Sequence, residues 1–296
     1  MLSKARARVL KPLLDALLTQ RSLLERVALD PVRFPRRFPD PLDAEVAGLV
    51  ASALAYGRAD LFVPRLEGLF QALGEHPGRV AREFDPPRDA PRFAAFAYRF
   101  NVGADVAALV SAAGAVQRAR GSLGAALEAS LAREGTLRAA AAAFVSALRS
   151  AVDPGVLRSL GPLRGFDHLL PRPERGGACK RLMLFFRWMV RGGPGDPVDL
   201  GLWRAVPPSA LLIPLDTHIA RIARHLCLTR RRDLSWTTVE EITASLRRLD
   251  PADPVKYDFP LCHYGMSGGC PSKPSPERCA RCALRAACGS RGGLPP

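Results

Sequence analysis

Four cysteines near the C-terminus have a spacing that suits metal chemistry. They are Cys270, Cys279, Cys282 and Cys288. The intervening gaps are eight, two and five residues, and the two-residue gap lets neighbouring thiolates face one ion or cluster. Disulfides are disfavoured because the chain shows no export signal, which leaves a structural zinc site or a [4Fe–4S] cluster. Three further cysteines lie in apolar helical stretches and are interpreted as core thiols: Cys179, Cys227 and Cys262.

Lysine is rare in this chain, although basic residues are abundant. The lysines are Lys4, Lys11, Lys180, Lys256 and Lys273. An amine can lose its proton and act as a nucleophile, whereas a guanidinium effectively cannot. Each lysine therefore merits attention wherever its neighbours indicate a pocket.

The formal charge of +15 favours a polyanionic partner, for which nucleic acid is the first choice. GC-rich coding bias would also explain an arginine-rich chain, so charge alone does not decide. No apolar run approaches the roughly 18 residues of a membrane span. The basic N-terminus resembles an amphipathic helix and not a signal peptide. We therefore expect a cytoplasmic protein with no membrane partner.

The periodicity of apolar residues predicts an all-α fold. A first helix is expected over residues 3–27, and a largely apolar helix is expected to end in the sequence AYG near residue 57. Another is expected over 90–99 and one more from about Cys179 to Arg191. Residues 152–177 are rich in Pro and Gly, and short helices joined by turns are expected there.

Two segments together resemble the endonuclease III branch of the helix-hairpin-helix DNA glycosylases. The first is PLDTHIARIARHL, residues 214–226, and the second is YDFPLCHYGMSGGC followed by the remaining cysteines. The segment PRPERGGACK replaces that family's usual hairpin. This difference indicates a divergent branch, with some likeness to the archaeal 8-oxoguanine glycosylases.

The resemblance implies a catalytic pair and a cofactor. Lys180 corresponds to the amine nucleophile and Asp216 to its acidic partner. Gly176 and Gly177 correspond to the hairpin glycines that let the backbone approach a DNA phosphate. The four C-terminal cysteines correspond to the ligands of a [4Fe–4S] cluster, with zinc as the alternative metal.

Four further residues are candidates for contact with DNA. Tyr56 and Arg58 follow a buried helix and are candidates for wedging the duplex, although a simple helix-end turn explains them equally well. Arg181 follows the candidate nucleophile, and His218 lies in the first turn after Asp216, where packing or a phosphate-facing position is expected. A plain helix N-cap is the structural alternative for Asp216 itself.

The resemblance implies two helical lobes. One is expected to cover residues 30–195 and to present Lys180 at its edge, and the other to combine residues 1–29 with 200–296. The implied activity is excision of a damaged base from duplex DNA by a monomer, with strand nicking at the abasic site through a lysine Schiff base. One alternative is a non-catalytic nucleic-acid-binding protein with the same cluster. The other is a helical domain that a structural zinc holds together and that binds other proteins.

Overall fold

The structure is a computed structural model that describes residues 2–19, 22–193, 195–271, 273 and 276–289. Almost all regular structure in these residues is helical, so the predicted all-α class is confirmed. The first predicted helix is divided into two, and residues 20 and 21 between them lie outside the described residues.

The helices and strands are α1 (Lys4–Leu18), α2 (Ser22–Val27), α3 (Pro41–Leu54), α4 (Ala59–Leu73), α5 (Pro77–Arg82), α6 (Pro86–Asp89), β1 (Ala97–Tyr98), β2 (Asn101–Val102), α7 (Gly103–Arg120), α8 (Leu123–Glu134), α9 (Leu137–Ser150), α10 (Pro154–Leu160), α11 (Phe166–Leu169), α12 (Lys180–Val190), α13 (Thr217–His225), α14 (Trp236–Arg247), α15 (Asp258–Met266) and α16 (Pro276–Ala280). Short 3-10 turns connect several of them.

The chain divides into two compact units. Unit 1 contains residues 1–26, 176–183 and 207–296, and unit 2 contains residues 27–175 and 184–206. This division differs from the expected lobes chiefly at residues 176–183, which carry Lys180. That segment belongs with Asp216 in unit 1, because its backbone is hydrogen-bonded to the start of α14: Trp236 N–H donates to Gly176 O, and Ala178 N–H donates to Leu234 O.

Unit 2 is a helical bundle around α7, a helix that is buried almost throughout. Close backbone packing explains the small residues of α7. A side chain at Gly114 would collide with the carbonyl of Ala81 at the end of α5. The alanine-rich helix α9 buries Phe144, Val145 and Leu148 on one face. Burial of these apolar faces is the main source of stability in such a bundle.

Unit 1 holds the elements that position the candidate site. Helices α13 and α15 pack against each other, and Gly265 of α15 lies where a Cβ atom would come within 2.9 Å of His218 Cβ. Asp216 caps α13, and Ser235 caps α14 with its side-chain oxygen. These caps fix where each helix begins, since they satisfy amide groups that have no partner within the helix.

The predicted helix over 90–99 is wrong. Residues Ala90–Phe93 form a single 3-10 turn, and β1 and β2 then form a hairpin in which Tyr98 pairs with Asn101. Arg99, in the turn, has a positive φ of 52°, which no helix permits. Tertiary hydrogen bonds explain the difference, since Tyr98 donates to the carbonyl of Tyr56 at 2.6 Å.

No single helix among the described residues is both long and apolar enough to cross a membrane. The consecutive helices Leu137–Ser150 and Pro154–Leu160 meet the same test of length and composition only when taken together. They are bent by 57° where they meet.

A candidate active site and a four-cysteine cavity

Lys180 is the first residue of α12. The carbonyl of Cys179, the residue just before the helix, accepts hydrogen bonds from the amides of Leu182 and Met183. Cys179 has a positive φ of 45°, and Gly176 has one of 79°. The chain therefore turns sharply twice before α12, and this places Lys180 on the first helical turn.

The Lys180 side chain is half-buried. Among the described residues its ammonium group forms no hydrogen bond and no ion pair. It lies within electrostatic range of the Cys262 thiol, as does Asp216. The structure thus brings the predicted nucleophile and its acidic partner around a third side chain, which belongs to α15.

Asp216 has two partners, one for each carboxylate oxygen. Oδ1 accepts a hydrogen bond from the amide of Ile219 at 2.7 Å, so Asp216 is the N-cap of α13. Oδ2 accepts a hydrogen bond from the thiol of Cys262 at 3.4 Å. The capping role uses only one oxygen, which leaves the other available for contacts outside the helix.

Cys262 is not the ordinary core thiol that the sequence indicated. Burial raises the pKa of its thiol well above the usual value, and the carboxylates of Asp216 and Asp258 raise that pKa further, while Lys180 lowers it. The thiol is therefore protonated at neutral pH and acts as a hydrogen-bond donor to Asp216. The sequence gives no signal for this contact. Cys262 lies within a largely apolar helical stretch, and Asp216 is 46 positions away in the chain.

Two of the expected DNA-contacting positions lie next to Lys180 in the chain. Gly177 is exposed, and an added Cβ atom would meet no atom within 4 Å. Gly177 forms an isolated bridge with Ser235. Arg181 is half-buried on α12. An open backbone at the start of a helix leaves space for a phosphate to approach.

His218 is the second residue of α13 and contacts Arg221 in the next turn. Arg221 Nη2 is 3.1 Å from His218 Nδ1 and donates to the carbonyl of Gly265 at 3.4 Å. Arg221 also interacts with the thiol of Cys270 and lowers its pKa, although burial is the larger effect and raises that pKa overall. Arg221 thus connects the helix that Asp216 caps with the first cysteine of the cluster.

The four C-terminal cysteines line one cavity of about 280 Å³. The lining residues besides these cysteines include His225 and Arg285. Burial raises the pKa of the Cys270 thiol, and the neighbouring Cys282 and Cys288 raise it further. The segment that carries these cysteines has few apolar residues of its own.

His225 and Tyr264, like Arg221, are within hydrogen-bonding distance of these sulfur atoms. His225 Nδ1 is 3.2 Å from Cys270 Sγ. The hydroxyl of Tyr264 donates to Cys282 Sγ at 3.2 Å and accepts from the amide of Ala283 at 3.0 Å. Such contacts orient metal-binding thiolates and tune a bound cluster.

The chemistry of this lining fits either metal centre that the sequence left open. Four thiols line one cavity, and thiolates are ligands of both structural zinc and [4Fe–4S] clusters. Within the described ranges no three His, Cys, Asp or Glu side chains form a ready-made site for a single ion.

The two proposed wedge residues lie in unit 2, whereas Lys180 and Asp216 lie in unit 1. Tyr56 is half-buried, with its hydroxyl donating to Asn101 Oδ1 at 2.7 Å. Arg58 is exposed and forms an ion pair with Asp60 at 2.7 Å. Tyr56 therefore has a supporting position beneath the hairpin.

Phe100 is the exposed aromatic residue of this region and was missed by the sequence analysis. It lies at the tip of the hairpin and is 57% exposed. Its ring stacks on Tyr56 with 6.0 Å between centroids, and it meets His168 edge-on at 4.8 Å. Arg99 lies beside it, also exposed, with its guanidinium 6.0 Å from the Tyr56 ring.

Buried polar groups fix the base of the hairpin. Asn101 is fully buried and donates to the carbonyl of Gly165 at 2.9 Å. Asp105 is also fully buried and accepts from the amides of Val102 and Gly165 at 2.9 and 3.0 Å. A rigid base with a strained, exposed tip is typical of a functional loop.

Comparison with known families gives a match over most of the chain. Residues 30–267 match the family model described as "Protein of unknown function (DUF2400)". The matched range includes Lys180, Asp216 and Cys262 and ends before Cys270. Comparison with curated proteins gives no match, and comparison with solved structures gives none either. Because the match covers more than half of the chain, the protein belongs to the DUF2400 family.

Proposed function

We propose that this protein is a DNA glycosylase that excises a damaged base and nicks the strand at the resulting abasic site. The observation that carries the proposal is the arrangement around Cys262. An ammonium group that has no ion pair within the described part of the chain and a carboxylate that caps a helix both lie near this thiol, in the unit that also holds the four-cysteine cavity.

Lys180 and Asp216 have complementary roles in this reaction. Departure of the base leaves positive charge on the sugar, which the Asp216 carboxylate stabilises. The ammonium group of Lys180 passes a proton to the departing base, which takes the electrons of the glycosidic bond, and the resulting amine donates its lone pair to C1′. Opening of the sugar then gives a protonated Schiff base. Loss of a C2′ proton from this intermediate expels the 3′-phosphate and cuts the strand.

The four cysteines would hold a [4Fe–4S] cluster. When bound, such a cluster crosslinks a segment that has few apolar contacts of its own. Three exposed arginines lie between its ligands: Arg278, Arg281 and Arg285. Their guanidinium groups are suited to DNA phosphates, so an ordered loop would contribute to binding.

The hairpin of unit 2 supplies a second kind of DNA contact. An aromatic ring supported by Tyr56 and His168 can stack on a base exposed when the duplex opens. The neighbouring Arg99 adds positive charge. We therefore assign base stacking to Phe100 and a supporting role to Tyr56.

Borohydride trapping tests the proposal. Anaerobically purified protein is incubated with duplexes that contain an abasic site, 8-oxoguanine, an oxidised pyrimidine or uracil, and borohydride reduces any Schiff base to a stable amine. Wild-type protein is expected to form an adduct with the abasic duplex and with at least one lesion. Lys180→Gln is expected to form none, and Asp216→Asn is expected to slow base release by about 100-fold or more.

Lys4→Gln is the matched control, since Lys4 is an exposed lysine on α1. This variant should form the borohydride-trapped adduct with DNA as efficiently as wild type. Equal adduct formation by Lys180→Gln would exclude Lys180 as the nucleophile. Protein that binds duplex DNA but forms no adduct and releases no base from any substrate would instead be a non-catalytic binding protein.

A further inference from the structure

We infer that unit 1 carries an anion site apart from the candidate active site: an arginine-lined pocket that binds phosphate groups. The pocket has a volume of about 550 Å³. Its lining includes Ser3, Arg6, Arg224, Arg230, Arg232 and Glu241. Lys180, Asp216 and Cys262 do not line it, so this inference does not depend on the proposed glycosylase activity.

The charges around the pocket are unbalanced. Arginines from α1, from α13 and from the loop after α13 line it together with one carboxylate, that of Glu241. Four guanidinium groups against one carboxylate leave a local excess of three positive charges. Like charges held in one concavity repel each other and raise the affinity for an anion.

Arg6 is the most deeply placed of these arginines. It is 4% exposed, and its Nη2 donates to the carbonyl of Ala287 at 3.2 Å. This bond fixes the guanidinium between α1 and the cluster loop. A buried, positioned guanidinium is a stronger anion ligand than a mobile surface one, since less side-chain entropy is lost on binding.

The beginning of α1 adds to the positive electrostatic potential of the pocket. Ser3 caps this helix, and no acidic residue lies in its first turn. Because the amides at a helix N-terminus carry partial positive charge, they reinforce the arginines beside them. The cap alone would not make a site, but here it borders the arginine pocket.

Phosphate is the anion that this geometry suits best. Guanidinium groups form paired hydrogen bonds with phosphate oxygens, and several arginines together match the charge of a polyphosphate or of successive phosphates in a nucleic-acid backbone. The volume lies within the range of about 300–1,000 Å³ that is typical of small-ligand pockets. Both a free polyphosphate and a DNA backbone present this chemistry.

The test compares two double variants of equal charge. Arg230→Gln/Arg232→Gln removes two exposed arginines of the pocket and leaves the buried Arg6 in place. Arg120→Gln/Arg158→Gln removes two exposed arginines of unit 2. Binding of inorganic tripolyphosphate is measured by calorimetry, and binding of an undamaged duplex by fluorescence anisotropy.

The pocket variant is expected to weaken binding by about tenfold or more, and the control variant by about twofold or less. Loss of tripolyphosphate binding would identify a site for free phosphates. An effect confined to the duplex would identify a backbone contact. Equal effects of the two variants on both probes, or no binding of either probe by wild type, would overturn the inference. Borohydride trapping is scored separately, so failure of this site and failure of the glycosylase proposal remain distinguishable.

Discussion

The thiol of Cys262 donates a hydrogen bond to Oδ2 of Asp216 at 3.4 Å, across the interface between α15 and the start of α13. The other oxygen of Asp216 caps α13. The carboxylate is thus held at both oxygens, one by a local backbone amide and one by a distant side chain. This arrangement orients the Asp216 side chain.

Alkylation of Cys262 reports directly on this arrangement. Asp216 raises the pKa of the thiol and Lys180 lowers it. Asp216→Asn should therefore lower that pKa and speed iodoacetamide modification at fixed, mildly alkaline pH. Lys180→Gln should raise the pKa and slow the reaction. We expect the reaction rate to change by about three- to tenfold in each direction.

Mass spectrometry of the peptide that contains Cys262 gives the rate for this thiol alone. Lys4→Gln serves as the charge control and should react as wild type does. Since only the thiolate reacts, the rate should also rise with pH in every variant. Identical rates in Asp216→Asn, Lys180→Gln and wild type would mean that neither charge lies near the thiol.

Metal analysis tests the four-cysteine cavity. Anaerobically purified protein is expected to contain about four iron and four sulfide per chain, with little zinc. Cys282→Ala should lose most of this iron, because Cys282 lines the cavity and accepts the Tyr264 hydrogen bond. Cys262→Ala should retain it, because Cys262 contacts Asp216 instead. Stoichiometric zinc in colourless wild-type protein would refute the cluster.

Phe100 gives a test of base stacking. Phe100→Ala is expected to weaken binding to a duplex with an abasic site by about 5- to 150-fold, the range that follows from about 1–3 kcal/mol per stacked base. Phe100→Trp should preserve binding, since it keeps an aromatic face. Leu61→Ala removes another exposed apolar side chain of unit 2 and should have little effect. An equally large loss of binding in Leu61→Ala would argue against stacking. Fluorescence anisotropy measures the DNA affinity of all three variants.

Glu45 gives a test of how unit 2 is stabilised. This residue is 2% exposed, and its carboxylate accepts four hydrogen bonds. The donors are Leu123 N at 2.8 Å, Gly124 N at 3.0 Å, Gln117 Nε2 at 3.0 Å and Trp203 Nε1 at 2.7 Å. Glu45→Ala leaves these buried donors without an acceptor and should lower the free energy of unfolding by about 3 kcal/mol or more.

Urea denaturation followed by circular dichroism measures this loss. Glu45→Gln keeps one acceptor oxygen and directs an amide group at existing donors, so an intermediate loss is expected. Glu128→Gln, an exposed glutamate on α8, is the control and should change stability by about 0.5 kcal/mol or less. If Glu45→Ala were as stable as this control, the carboxylate would not hold the start of α8 in place.

The amino-acid sequence by itself determined the helical class and the features that depend on near neighbours. Apolar periodicity located most helices, and an Asp three residues before Ile219 was enough to indicate the N-cap of α13. The spacing of the cysteines likewise indicated that they lie together, and all four line one cavity. These features could be predicted because capping, helix propensity and ligand spacing act over a few residues.

Only the tertiary structure decided what surrounds those residues. Cys262 is 46 positions from Asp216, so their contact depends on how α15 packs on α13. The segment with Lys180 joins unit 1 because it pairs with the start of α14. The hairpin at Phe100 replaces a predicted helix because distant polar groups bind it more strongly than local propensity favours a helix. Such contacts join residues far apart in the chain, and no local pattern encodes them.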